Sequence, residues 1–308
     1  MSTNLLPTGG RSPLGTTFAG RNLETQGNQW VVGLCGIHYG PAAMAGDEQR
    51  WALILGASSG FGEATAHALA KRGLHVCGVH LDRRAGMAHV DEITAAIRET
   101  GRQALFLNVN AADHEKRRQV LDALAGRIAE DGGGVVRVLM HSLAFGSLTP
   151  FVGAEPARLV TPAQIEMTLN VMAHSLVYWV QDALARGLLV RGSRVVAMTS
   201  AGSTRVWPGY GPVSAAKAAL EAHVRQLAVE LGPSGITVNA IRAGVTDTPA
   251  FRKIPGSEYL AEQVRTRNPS GRMTMTSDVA DVIAMLSADE SQWITGTVIG
   301  VDGGEDIC

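Results

Sequence analysis

From Arg50 onward, short apolar runs alternate with longer stretches whose apolar residues recur at helical spacing, and this alternation is what most restricts the fold. The runs expected to be strands are 51–56, 75–80, 103–109, 135–141, 194–200, 236–242 and 297–301; the helical stretches between them are 62–72, 87–100, 112–128, 162–185, 210–231 and 277–286. Parallel strands joined through helices need right-handed crossovers, so the pattern predicts one doubly wound α/β unit, a parallel sheet of about seven strands covered by helices on both faces. No internal repeat or low-complexity linker divides residues 47–308, which read as a single domain. Residues 1–46 are rich in Gly, Pro, Ser, Thr and Asn, hold no sustained period, and read as a flexible N-terminal extension. The Ala43-Met44-Ala45 triplet has the look of a leader cleavage site, but His38, Tyr39 and several glycines break the apolar segment ahead of it.

Composition excludes several classes. The 27 basic and 28 acidic residues nearly balance, which gives no electrostatic footprint for a nucleic acid or an anionic membrane. No apolar run reaches membrane-spanning length. Cys35, Cys77 and Cys308 are odd in number and lack a C-x-x-C spacing, so neither a disulfide framework nor a zinc site is expected, and a reducing cytoplasm fits. The nine histidines form no H-x-x-x-H or H-E-x-x-H pattern, so no metal is expected. His141 is expected at a strand end, packed beside or lining the site, and His174 on a helix face.

The local signal that carries chemistry follows the first strand, in WALILGASSGFGEATAHALAKRG. Gly56, Gly60 and Gly62 allow a tight turn and close backbone approach, and the helix that follows offers unpaired N–H groups and a partial positive charge to a pyrophosphate. A strand before and a helix after make this a Rossmann-type dinucleotide cradle rather than a set of turn glycines.

The G-x-x-x-G-x-G spacing resembles the short-chain dehydrogenase/reductase superfamily, and the resemblance runs from about residue 50 to 307. It takes in HSLAFG after the fourth strand, Asn170, Ser200 after the fifth, Lys217 and the closing VDGG. Four residues before Lys217, where most of that superfamily has its tyrosine, stands Val213; the tyrosine is Tyr210. This tyrosine-x6-lysine spacing resembles the enoyl-acyl carrier protein reductases, as do HSLAFG and the NPSGRM segment at 268–273, the latter like the NADPH-dependent type with a serine after the fifth strand.

The resemblance implies reduction of an enoyl thioester, with Tyr210, Lys217, Ser200 and Asn170 as the catalytic set. In helical geometry Tyr210 and Lys217 share a face, with the tyrosine about 4.5 Å further along the axis than a four-residue spacing would put it. In conjugate reduction hydride goes to the β-carbon and negative charge gathers on the more distant carbonyl oxygen, so a displaced phenol suits that chemistry as an oxyanion donor. Lys217 would hold the nicotinamide ribose and supply a positive charge, Ser200 would be a secondary donor, and Asn170 a helix-bend residue with an indirect effect. Toward the cofactor the resemblance assigns Gly56, Ser58, Ser59, Gly60, Phe61, Gly62, His80, Arg83, Arg84, Asn108, Val109, Ser142, Ala144, Lys217, Gly244, Thr246 and Thr248. The position that in NAD-dependent folds is acidic falls on His80, while Arg83 and Arg84 could clamp a 2′-phosphate, so NADP(H) is favoured and NAD(H) stays open.

After Gly244, where the resemblance leads one to expect proline, stands Val245. Residues 249–273 are the expected substrate lid, with Phe251, Ile254, Tyr259 and Leu260 as apolar candidates. Arg252 and Lys253 are either solvated or meet a phosphopantetheine or an acidic carrier protein. A homotetramer built through 162–185 and 210–231 is implied by the family. Two other readings stand beside this one: a carbonyl reductase or alcohol dehydrogenase of the same superfamily, and a non-catalytic NAD(P)-binding protein.

Overall fold

In the computed structural model, which describes residues 49–308, the first strand, β1 (Gln49–Leu55), is an interior strand, third in a seven-stranded parallel sheet. The others are β2 (His75–His80), β3 (Ala104–Asn108), β4 (Gly134–His141), β5 (Arg194–Ser200), β6 (Thr237–Ala243) and β7 (Val298–Val301), in the order β3-β2-β1-β4-β5-β6-β7. Every neighbouring pair is parallel. The expected extension at 1–46, and with it Cys35, lies outside the described residues.

Side chains along β1 alternate between two cores, as a period of two requires. Trp51, Leu53 and Leu55 face one side, and Ala52 and Ile54 the other. The first side is covered by α3 (His114–Glu130), α5 (Ser175–Ala185) and α6 (Gly211–Leu231); the second by α1 (Gly60–Lys71), α2 (Met87–Glu99) and α8 (Thr276–Leu286).

The seven strands and six helices fall where periodicity puts them, with no end moved by more than two residues. Three differences have physical reasons. The helix expected over 162–185 is α4 (Pro162–Leu169) followed by a π turn, Asn170–His174, and then α5. The helix expected from residue 210 begins at Gly211, because Gly209 takes φ +73° and delivers Tyr210 at the N-cap (φ −92°, ψ 0°) with Pro212 in the first turn. The lid segment contains an unexpected helix, α7 (Ser257–Arg267), which buries only Ala261 and Val264 and so shows little apolar period.

The sheet order changes direction between β1 and β4, and the crevice beyond the carboxyl ends of such strands is where open α/β sheets take ligands. Among the described residues, no helix is long and apolar enough to cross a membrane.

Candidate active site

The glycine-rich turn sits at that crevice. Gly56 (φ +88°) and Gly60 (φ +57°) occupy the left-handed region that favours glycine. A Cβ on Gly56 would come within 2.5 Å of the Ser142 carbonyl, and one on Gly62 would overlap the Gly56 carbonyl. The turn is therefore compressed against both the end of β4 and its own helix. It is pinned by Gly56 and Ala57 N–H groups donating to the Val79 carbonyl (2.8 and 3.1 Å), while Ser142 N–H donates to Leu55 (2.9 Å). Ser59 precedes α1 without capping it through its side chain, and Ser58, Phe61 and Ala144 flank the same turn and the β4 end. A cradle that only backbone can fill, at a helix N-terminus, fits a dinucleotide pyrophosphate.

Ser200 and Tyr210 come together where β5 ends and α6 begins, and Lys217 lies further along α6. The Tyr210 ring packs on Gly202, where a Cβ would stand 2.6 Å from the ring, and Ser200 Oγ accepts from Gly202 N–H (3.2 Å). Burial pushes the Tyr210 phenol above its ordinary pKa, and a hydrogen bond from the Ser200 side chain opposes that shift. Lys217 is 5% exposed and donates from Nζ to the Met198 carbonyl at 2.6 Å. Burial lowers its pKa to about 8, against the Glu221 carboxylate one turn along α6, which in turn accepts from Thr199 Oγ1 (2.6 Å).

His141, fully buried beside this group, is held neutral, its pKa lowered to about 3 by burial and by Lys217. Ser175 Oγ donates to the Val171 carbonyl of the π turn (2.8 Å), so His141 Nε2, 2.8 Å from that oxygen, is the donor to it. Asn170 opens the π turn.

At the end of β2, buried His80 pairs through Nδ1 with Asp82 Oδ2 (2.9 Å). Both ends of the Asn108 amide are taken by the Asp82 main chain (3.0 and 2.9 Å), so this residue fastens the start of the 81–86 loop to β3, and Val109 N–H donates to His80 (2.8 Å). Arg83 and Arg84 stand exposed on that loop, with no ion pair among the described residues.

The loop after β6 closes the crevice. Gly244 N–H donates to Val301 (3.0 Å), Thr246 Oγ1 to the Gly244 carbonyl (2.9 Å), and Phe251 N–H to Thr248 Oγ1 (3.1 Å). Thr248 touches the glycine turn: a Cβ on Gly60 would lie 3.4 Å from its methyl. Arg252 forms a two-pronged pair with Asp247 (2.7 and 2.9 Å), so its charge is already matched at the surface. Phe145, Phe151 and Tyr259 leave apolar surface exposed, and Trp207 Nε1 donates to Pro255 (3.0 Å), tying the 201–209 loop to the lid.

Sequence reasoning did not point to Trp207, Ser175 or Glu305. Each acts through a partner far along the chain, and no local spacing signals such a contact.

The chain matches the family model described as Enoyl-(Acyl carrier protein) reductase over residues 56–305. It is 30% identical to the 1-cyclohexenylcarbonyl-CoA reductase of Streptomyces collinus, over 85% of this chain and 88% of that protein. It is 28% identical to the cis-4-hydroxycyclohexanecarboxylate dehydrogenase of Sinomonas cyclohexanicum, over 83% of this chain and 96% of that protein. The crystal structure of the enoyl-[acyl-carrier-protein] reductase (NADH) of Aquifex aeolicus superposes with a TM-score of 0.73 at 26% identity, covering 85% of this chain and 98% of the other. With the glycine turn and the sheet order in agreement, the chain belongs to the enoyl-(acyl carrier protein) reductase family of short-chain NAD(P)-dependent oxidoreductases.

Proposed function

We propose that this oxidoreductase reduces the carbon–carbon double bond of an enoyl thioester, with NADPH as the hydride source. One observation carries the reading: the position one helical turn before Lys217 holds Val213, buried at 4% exposure, so the phenol beside Ser200 is Tyr210 from beyond the helix start. When bound, the cofactor supplies hydride to the β-carbon of the substrate. Tyr210 donates to the thioester carbonyl oxygen, where charge develops as the enolate forms. The Lys217 ammonium, with donors beyond the one spent on Met198, holds the ribose and favours negative charge near the phenol. Gly56, Gly60, Gly62 and the start of α1 hold the pyrophosphate, and Arg83 with Arg84 receive the 2′-phosphate.

The similarity to a protein named as a CoA-thioester reductase supports this reading. The Ser200 hydroxyl beside Tyr210 favours a second one, reduction of a ketone or oxidation of an alcohol, in keeping with the similarity to a protein named as a hydroxy-acid dehydrogenase. Purified protein given crotonyl-CoA is expected to oxidise NADPH faster than NADH and to leave acetoacetyl-CoA unreduced. Tyr210→Phe is expected to lower enoyl turnover by about a hundredfold or more, the scale of a lost oxyanion donor. Turnover of the ketone alone would sink the enoyl reading. A cytoplasmic homotetramer joined through α4, α5 and α6 belongs to the same proposal, and sedimentation velocity tests it.

A further inference from the structure

The loop that closes the crevice has one backbone donor that its own strand cannot satisfy. β6 ends at Ala243, Gly244 N–H makes the last bond to β7, and the Val245 carbonyl accepts from Thr274 N–H (3.1 Å). The Val245 N–H points instead at the C-terminal tail, where Glu305 Oε2 accepts it at 2.9 Å. Glycine at 244 makes room for that carboxylate, because a Cβ there would stand 2.7 Å from the same oxygen.

The tail is built to deliver Glu305. Asp302 accepts from the N–H groups of Gly304 (3.0 Å) and Asp306 (3.2 Å), fixing the turn 305–307. Arg205 and Arg242 both pair with Asp306 (2.9 and 2.6 Å). Glu305, half-buried, is therefore left to a backbone donor rather than to a side-chain cation. Desolvation of a carboxylate is costly, and here the return is one ordered peptide unit at the base of the loop. Beyond it, Thr246 (5% exposed) and Thr248 (8%) are buried, and Thr248 rests against Gly60.

We propose that Glu305 is a positioning residue for loop 244–248: by holding the Val245 N–H it sets Thr246 and Thr248 against the glycine-rich turn, and so sets affinity for the nicotinamide dinucleotide. That the loop meets a dinucleotide rests on the function proposed above; that Glu305 orders the loop does not. The groups facing Glu305 are Asp302, Asp306 and Arg205. Burial, then Asp302 and Asp306, push its pKa up, while the Val245 bond and Arg205 pull it down, with a net rise. Protonation at mildly acid pH weakens the acceptor, so affinity for NADPH falls there earlier than an ordinary glutamate would dictate.

The test uses the full chain and two readouts. By NADPH fluorescence, Glu305→Ala is expected to raise the dissociation constant about tenfold, the loss of one charge-assisted hydrogen bond, with KM for NADPH rising more than kcat falls. Glu305→Gln, whose amide oxygen still accepts, keeps most of the affinity and loses the acid-side weakening. Val245→Pro removes the donor, so adding Glu305→Ala to it costs nothing further; an equal loss in that background overturns the proposal. Hydrogen exchange of a peptide spanning 244–248, without cofactor, is expected to quicken in Glu305→Ala and not in Glu305→Gln. Unchanged exchange overturns the proposal even if Val245→Pro fails to fold. A wild type that binds neither NADPH nor NADH, with exchange behaving as expected, overturns the dinucleotide part and leaves the ordering of the loop intact.

Discussion

Lys217 is the residue whose chemistry and stability pull in opposite directions. Lowering a lysine from 10.5 to about 8 by burial means that holding its charge costs the fold about 3 kcal/mol below that pH. The sign follows from linkage: the folded state binds fewer protons, so the penalty is full below pH about 8 and fades as pH rises towards 10.5. Lys217→Met is therefore expected to abolish reduction yet unfold at no lower urea concentration than the wild type at neutral pH, an advantage that shrinks in alkaline buffer. A lower urea midpoint for the variant at neutral pH would contradict this account. His141, neutral down to about 3, adds no second cation to the same buried space, which is what lets Lys217 keep its proton.

At the scale of elements, the π turn between α4 and α5 does work that an unbroken helix would not. The Val171 carbonyl of the turn accepts from Ser175, which in turn accepts from His141, so helix, strand end and site are fastened through one hydroxyl. Ser175→Ala leaves the buried His141 N–H unpaired and removes the bond to the half-buried Val171 carbonyl, and is expected to cost about 1–3 kcal/mol, read as a lower urea midpoint with an unchanged slope. The strands were legible from the sequence because each is a short run of buried apolar residues, and the glycine turn because its spacing is set by backbone contact. A bend at Asn170 was expected from its side chain, but the π turn itself was not, since Asn170–His174 differs little in apolar pattern from the helix around it. Nor was the exact start of α6, which Gly209 and Pro212 decide through backbone angles rather than periodicity. Glu305 could not be read locally at all, because its partner lies sixty positions away in the chain.

For the whole molecule, both cores draw their buried side chains from 51–286, and the first strand begins at Gln49. A chain starting at residue 47 is accordingly expected to fold alone, melting within about 2 °C of the full-length protein, under about 1 kcal/mol at this size. A larger loss by calorimetry would give residues 1–46 a share in the fold. The sheet order has a further consequence, for synthesis on the ribosome. β1, β2 and β3 can pair as soon as they emerge, but the other edge of β1 waits for β4, with residues 56–133 between them. Until Gly134–His141 arrives, a strand of wholly apolar character from Trp51 to Leu55 presents unpaired N–H and C=O groups to any neighbouring chain. A segment fully buried in the finished protein is thus exposed to mispairing while the protein is being made, and slowing translation between β3 and β4 lengthens that exposure.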